Sequence, residues 1–412
     1  MASRHSECED IPFRFGTADS SMENKKQDTR LTHAGRDPHA NFGIVNPPVY
    51  HCSTVLFPTL EALEASDRNS LEGVHYGRMG TPTSQAFEEA VAELEGGYRA
   101  VSAGSGLSAV TTALLAFTKA GDHVLITDSV YGPTRRFAKD TLIRYGVEVE
   151  YFDPTVGAGV TALLRPNTSV VFLESPGSLT FEMQDVPAIA AAARAAGAKV
   201  LMDNTWATPL LFKPLRHGVD VSIHAATKYI VGHADAMLGV IVCNEESYLE
   251  VKRAATRLGA CAGPDDLFLG LRGLRTLSVR LKRHEETGLA LAEWLARRPE
   301  VTRILHPARP DFPGHALWRR DFTGASGLFA AVIKTVPKPA LAAMLDSMEL
   351  FGMGYSWGGF ESLILPVYPQ AVRTATRWDE PGIVLRLHAG LEDVDDLIRD
   401  LERGFDRMRN AL

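Results

Sequence analysis

The 412-residue chain has four cysteines, Cys8, Cys52, Cys243 and Cys261, scattered too widely to form a CxxC. Such spacing excludes a zinc cage and offers no disulfide framework, so a reducing cytoplasm is the expected compartment. No run approaches the roughly 18 uninterrupted apolar residues of a membrane span, because Arg194 and Lys199 break the longest alanine-rich stretch. A signal-peptide core after Met1 is also missing. Positive charge is not in excess: 43 basic against 50 acidic residues leaves −7. That balance gives no field for collecting nucleic acid. The local run Arg272, Arg275, Arg280, Lys282, Arg283 has helix-like spacing and is expected to be a solvated face. Internal repeats and low-complexity tracts are absent as well. What remains, 45% hydrophobic and 23% charged residues, is ordinary for a globular enzyme. The length predicts two to three domains at about 150 residues each.

Residues 1–30 are polar and aperiodic, with a second methionine at Met22, and are expected to form a flexible leader. Residues 31–83 carry Pro38, Pro47, Pro48, Pro58 and Pro82 but too few periodic apolar residues to make a core alone. This segment is expected to be an arm lying against a neighbouring subunit. In the 84–269 region, Phe87, Val91 and Leu94 recur at helical spacing and Gly96-Gly97 supplies the stop. Short aliphatic runs then alternate with helical stretches: Val124–Thr127, Val147–Tyr151, Val170–Leu173, Val200–Met202, Val219–Ile223 and Val240–Val242. Alternation predicts a mainly parallel sheet with helices on both faces, whose ligands gather beyond the strand C-termini. Over 270–412 a long helix through His284 and Trp294, several strands and a closing helix predict a smaller α+β domain. In the closing helix Val394, Leu397, Ile398, Leu401 and Phe405 share a face. The helix dipole accounts for the acidic Glu392, Asp393, Asp395 and Asp396 without a metal.

Ala225-Ala226-Thr227-Lys228-Tyr229 directly follows an apolar strand. A lysine among small residues is partly desolvated, which lowers its pKa and frees a neutral amine to attack a carbonyl. A lysine at a strand end can equally point to solvent. Asp203 ends the apolar run Leu201-Met202, 25 residues before Lys228. An acid there can keep a pyridinium nitrogen protonated, the property that makes pyridoxal phosphate an electron sink. Alone, it reads as well as an N-cap. Ser102-Ala103-Gly104-Ser105-Gly106-Leu107 opens a helix marked by Val110, Leu114 and Phe117, and backbone N–H groups reached through glycines bind phosphate. Thr227 adds a hydroxyl. Gly104-x-Gly106-x-x-Ala109 also matches the dinucleotide fingerprint, so a nicotinamide dehydrogenase is a rival, although only Ala100-Val101-Ser102 precedes it. Tyr131 can lie over a flat ring or be a core tyrosine. Arg386, inside Val384–Leu387, can hold a carboxylate bidentately or form an internal salt bridge. His224 and His233 have no second pair to complete a metal site.

Taken together, the chain from Thr29 onward resembles the Cys/Met-metabolism family of pyridoxal-phosphate enzymes. The resemblance is carried by His75-Tyr76-Gly77-Arg78, Glu174-Ser175-Pro176-Gly177-Ser178, Asp203-Asn204-Thr205-Trp206-Ala207, Ala226-Thr227-Lys228-Tyr229 and Gly270 through Arg283. Tyr355 through Leu363 and Leu385 through Glu392 carry it further. It implies a fold-type I transferase-like architecture with pyridoxal 5′-phosphate as cofactor. By the same resemblance, Lys228 condenses with the cofactor's aldehyde, Asp203 pairs with its ring nitrogen and Tyr131 stacks on the ring. Gly106, Leu107 and Thr227 would bind the phosphate, joined by Tyr76 and Arg78 from a neighbouring subunit. Arg386 and Ser356 would hold the substrate carboxylate, with Trp357 shaping the pocket. Two catalytic groups are implied, Lys228 and Tyr131, in a homo-oligomer that is a dimer of active sites and a tetramer overall.

Where many relatives carry serine three residues before the lysine, this chain has Ala225, which removes one phosphate hydroxyl. Gly177-Ser178 and Ser356-Trp357 resemble the β-acting branch. The resemblance therefore implies a carbon–sulfur β-lyase that splits cystathionine into homocysteine, pyruvate and ammonia in methionine biosynthesis. A cystine or cysteine β-lyase, a γ-lyase and a sulfhydrylase share the machinery and stay open, as does a protein that binds the cofactor without turnover.

Overall fold

Residues 24–68 and 71–412 are described by a computed structural model. The larger sheet contains β1 (Arg99–Ala103), β2 (His123–Thr127), β3 (Glu148–Phe152), β4 (Thr168–Glu174), β5 (Lys199–Asp203), β6 (Val221–His224) and β7 (Gly239–Cys243). Their order is β1-β7-β6-β5-β4-β2-β3. β6, β5, β4, β2 and β3 run parallel, and β7 is antiparallel to both its neighbours. The expected mainly parallel sheet is therefore present. β1 contains the short stretch Ala100-Val101-Ser102, too brief for periodicity to mark it as a strand.

Alternation along each strand sends side chains to two cores. Val124 and Ile126 of β2 pack with Val110, Ala113 and Leu114 of the Gly106–Ala116 helix, while Leu125 packs with Ile189 and Ala193 of the Val186–Ala195 helix. Burying both faces of the inner strands is what parallel pairing with helical crossovers requires, while the edge strand β3 stays partly open.

A second, fully antiparallel sheet has β8 (Val301–Leu305), β9 (Leu328–Ile333), β10 (Leu363–Val367) and β11 (Ile383–His388) in the order β10-β11-β9-β8. Phe329, Ala331, Leu385 and Leu387 meet Leu397, Leu401 and Phe405 of the Val394–Asn410 helix. The opposite face, through Leu328, Ala330, Val332 and Val384, joins the core of the larger sheet around Trp206 and Phe312. This shared core holds Arg386 and the loop before β10 against the strand ends of the larger sheet.

A helix over Gln27–His33 begins inside the expected leader, and Met1 through Glu23 lie outside the described residues. The expected long helix from Gly270 is two helices, Pro264–Leu274 and Leu277–Ala296. The basic run along them is solvated only in part: Arg272 and Lys282 are exposed, but Arg280 is not. Arg280 is 5% exposed, and its guanidinium donates to the carbonyls of Tyr229 (2.7 Å), Ile230 (3.3 Å) and Gly273 (2.8 Å). Helical spacing put the arginines on one stretch, but only packing against the 228–232 turn decided that Arg280 points inward.

Candidate active site

The C-terminal ends of adjacent parallel strands bring the chemistry together. Asp203 ends β5 with Glu174 of β4 beside it in register and Ile223 of β6 on the other side. The Asp203 carboxylate accepts the Thr205 hydroxyl at 2.5 Å and the Thr205 N–H at 3.0 Å. Thr205 Oγ1 in turn accepts the Ala225 N–H at 2.9 Å, linking the segment after β5 to the turn that carries Lys228.

Lys228 Nζ donates to Ser356 Oγ at 2.5 Å and lies 5.4 Å from the Trp357 ring centre. Arg386 donates to the Ser356 carbonyl at 3.1 Å. The Ser356–Gly359 loop rides directly on the lysine. Gly358, at φ +85°, leaves no room for a side chain, since a Cβ there would sit 2.9 Å from the Lys228 backbone. Its N–H is accepted by His388 Nε2 at 3.1 Å, and burial first and His284 next push the His388 imidazole down to about 3. His388 is thus neutral at physiological pH, and the same Nε2 lies 3.2 Å from the Gly359 carbonyl.

Burial pushes the Lys228 amine down to about 8; Arg386 pushes in the same direction, and Asp203 opposes it. Burial raises Asp203, against the bonds from Thr205. Burial and then Asp203 raise Glu174 well above the usual carboxylate range, although Glu174 accepts the Tyr131 N–H at 2.6 Å. Burial, with Asp203 and Glu174 next, also raises Tyr131, keeping its phenol protonated.

Gly106 opens its helix against the same turn: a Cβ on it would lie 2.4 Å from Ala225 Cβ. Ser105 caps that helix by accepting the Ser108 N–H at 3.1 Å. The N–H groups of Gly106 and Leu107 have no hydrogen-bond partner among the described residues. Thr227 is differently placed. Its hydroxyl accepts the Leu238 N–H at 2.9 Å and meets the Leu238 carbonyl at 3.1 Å.

Tyr76 and Arg78 are not with Lys228 in this subunit. They line a separate cavity of about 340 Å³ with Tyr50, Cys52, Lys252 and Cys261, and Arg78 donates to the Thr256 carbonyl at 2.6 Å. His224 bonds to Glu95 at 3.2 Å, and His233 Nδ1 to the Val231 carbonyl at 2.7 Å. Two neighbours of the site were not anticipated. Glu174 was noticed as a motif letter without a role. Arg136, exposed and without a hydrogen bond or ion pair among the described residues, lies close enough to Tyr131 for its charge to oppose that rise. Its spacing five residues after Tyr131 was the available signal.

The arrangement suits an aldehyde-bearing pyridine with a phosphate tail. A depressed amine, a carboxylate at a neighbouring strand end and two free N–H groups at a helix start that abuts the lysine turn converge on one edge of the sheet. That site and fold define a fold-type I cofactor enzyme. The chain belongs to the Cys/Met metabolism PLP-dependent enzyme family, which matches residues 28–406, and pyridoxal 5′-phosphate is its cofactor. It is similar to the cystathionine beta-lyase MetC of Escherichia coli, at 48% identity over 94% of this chain and 100% of that one. The cystathionine beta-lyase of Salmonella typhimurium is 45% identical, with the same coverage of both chains. Among solved structures, a cystathionine gamma synthase from Xanthomonas oryzae in complex with aminoacrylate and cysteine superposes with a TM-score of 0.86 at 31% identity, covering 94% and 100%.

The lowered amine has a kinetic signature. Condensation of the apo-protein with the cofactor's aldehyde should accelerate with pH up to about 8 and then level off, since only the neutral amine attacks. Removing the neighbouring positive charge in Arg386→Ala should move that inflection upward. Stopped-flow absorbance across a pH series checks both.

Proposed function

We propose that the protein is a carbon–sulfur β-lyase that converts cystathionine and water into homocysteine, pyruvate and ammonia. The observation that carries this reading is the 48% identity to a cystathionine beta-lyase over 94% of the chain, together with the contacts that join Lys228, Ser356 and Arg386. When bound, the cofactor supplies an electron sink for the charge left at Cα.

In this reading Lys228 would hold the cofactor's aldehyde, and its Nζ would take the Cα proton of the substrate. Its depressed pKa keeps a large neutral fraction near pH 8. Asp203 would pair with the ring nitrogen and Tyr131 would stack on the ring. The protonated Tyr131 hydroxyl is the proton donor for the departing homocysteine sulfur. Arg386 and Ser356 fix the substrate carboxylate so that the Cα–H bond is presented to Lys228, and Trp357 bounds the pocket. Gly106 and Leu107 bind the phosphate through their N–H groups. Thr227 joins them once its hydroxyl leaves the Leu238 carbonyl, while Ala225 contributes a methyl against Gly106 in place of a hydroxyl.

The remaining phosphate contacts come from Tyr76 and Arg78 of a second copy. The arm that carries them is apolar and bare in a single subunit: Phe42 is 99%, Leu56 88% and Leu60 71% exposed. Covering such a face calls for a homo-oligomer, read here as a tetramer built from two active-site dimers. The free thiols of Cys52, Cys243 and Cys261 accord with a cytoplasmic setting, and the homocysteine product with methionine biosynthesis.

Keto-acid identification by chromatography tests the reaction. Pyruvate from cystathionine supports it, whereas 2-oxobutyrate would assign a γ-lyase instead. Cystathionine has a second carboxylate, and the Arg136 guanidinium, without a partner among the described residues, stands near Tyr131 to receive it. Arg136→Ala should raise KM for cystathionine about tenfold, the loss of one charge-assisted bond. KM for a thioether lacking the distal carboxylate should stay within about twofold.

A further inference from the structure

Beneath the Asp203 and Lys228 segments lies another carboxylate, Glu95, the last residue of the Pro82–Glu95 helix and fully buried. One of its oxygens accepts three groups: Asn204 Nδ2 at 3.1 Å, the Ser222 hydroxyl, and His224 Nε2 at 3.2 Å. All three donors are at most 1% exposed. Their places in the chain are what matter. Asn204 directly follows Asp203, His224 directly precedes Ala225, and Ser222 lies in β6 two residues before His224. Asn204 also donates to the Phe212 carbonyl at 3.0 Å, and its N–H to the Ile223 carbonyl at 2.8 Å. The circuit closes at the site itself, because the Ala225 N–H reaches Asp203 through the Thr205 hydroxyl.

An aliphatic side chain could fill the same space without desolvating a carboxylate. It could not accept from two neighbouring strand ends at once. We propose that Glu95 is a positioning residue that sets the spacing of Asp203 relative to Lys228, so that the Asp203 carboxylate meets the cofactor's ring nitrogen. The inference rests on the reading of Asp203 given above. Glu95 touches neither cofactor nor substrate and acts through Asn204, His224 and the Thr205 link.

The test compares how the apo-protein binds two probes, pyridoxal 5′-phosphate and its carbocyclic analogue with C–H in place of the ring nitrogen. The parent should prefer the nitrogen-containing ring by about ten- to a hundredfold, the worth of a charge-assisted hydrogen bond. Glu95→Ala should bring that preference close to one while affinity for the analogue changes little. Glu95→Gln, whose amide oxygen can take over the three bonds, should restore it. Equal losses for both probes in Glu95→Ala, with a lowered melting temperature, would make Glu95 merely structural and overturn the proposal. If Glu95→Ala does not fold, His224→Phe, which keeps ring volume and removes one donor, should still lower the preference severalfold; an unchanged preference overturns the proposal. Asp203→Asn separates the two claims. Should it keep the parental preference, the reading of Asp203 fails, and Glu95 with it; should it lose the preference while Glu95→Ala retains it, the Glu95 proposal alone fails.

Discussion

Lys228→Ala should lower kcat/KM for pyruvate formation from cystathionine by about three orders of magnitude or more, since proton transfer alone supplies roughly 10²–10⁴. The same substitution removes the amine that holds the aldehyde, so the purified variant should also lose the visible absorbance of the bound cofactor. Stability should change little. The Lys228 side chain is half-buried, and its hydrogen bond goes to Ser356, a residue open to solvent, so water can replace it. Added methylamine should return part of the rate by supplying a small base in the space the side chain leaves. Pyruvate formation within tenfold of the parent would remove Lys228 from the reaction.

Arg280→Met should cost about 3–5 kcal/mol of stability, read as a lower urea midpoint at unchanged slope. The guanidinium serves the carbonyls of Tyr229, Ile230 and Gly273 from a position 5% exposed, and among the described residues no carboxylate pairs with it. Methionine fills most of the volume but leaves the Tyr229 and Ile230 carbonyls buried without that donor, which is the expensive half of a hydrogen bond to lose, while the Gly273 carbonyl keeps the Thr276 N–H at 3.2 Å. Because Tyr229 follows Lys228 directly, the destabilised variant should also show a less depressed lysine, with the pH inflection of cofactor condensation shifted up from about 8. Gly232, at φ +76°, shows how tightly the arginine is seated: a Cβ there would lie 2.0 Å from its Nη1. A midpoint within about 0.5 kcal/mol of the parent would mean that water reaches those carbonyls.

Much of the site was legible before any coordinates because its parts sit where periodic patterns break. Asp203 and Lys228 each end or follow an apolar run, and glycines precede Leu107 at a helix start. β1 was harder to see because Arg99–Ala103 is short and gains its meaning from pairing with β7, a contact of distant residues. Arg280 was misplaced for a related reason: charge and spacing describe a helix surface but not what lies against it. The Thr227 hydroxyl, read as free for phosphate, is engaged by Leu238, eleven residues away in the chain.

By itself, the order of residues determined the α/β alternation, the places of Lys228 and Asp203 at the ends of apolar runs, and the family, because each depends on neighbours within a few residues or on motifs in a row. The tertiary structure alone decided which side chains are dehydrated and which strand ends adjoin. The amine at about 8, the neutral imidazole beneath Gly358 and the three bonds to Glu95 follow from water exclusion and from contacts between segments tens to more than a hundred residues apart. Burial is a property of the packed chain, and no local pattern encodes it fully.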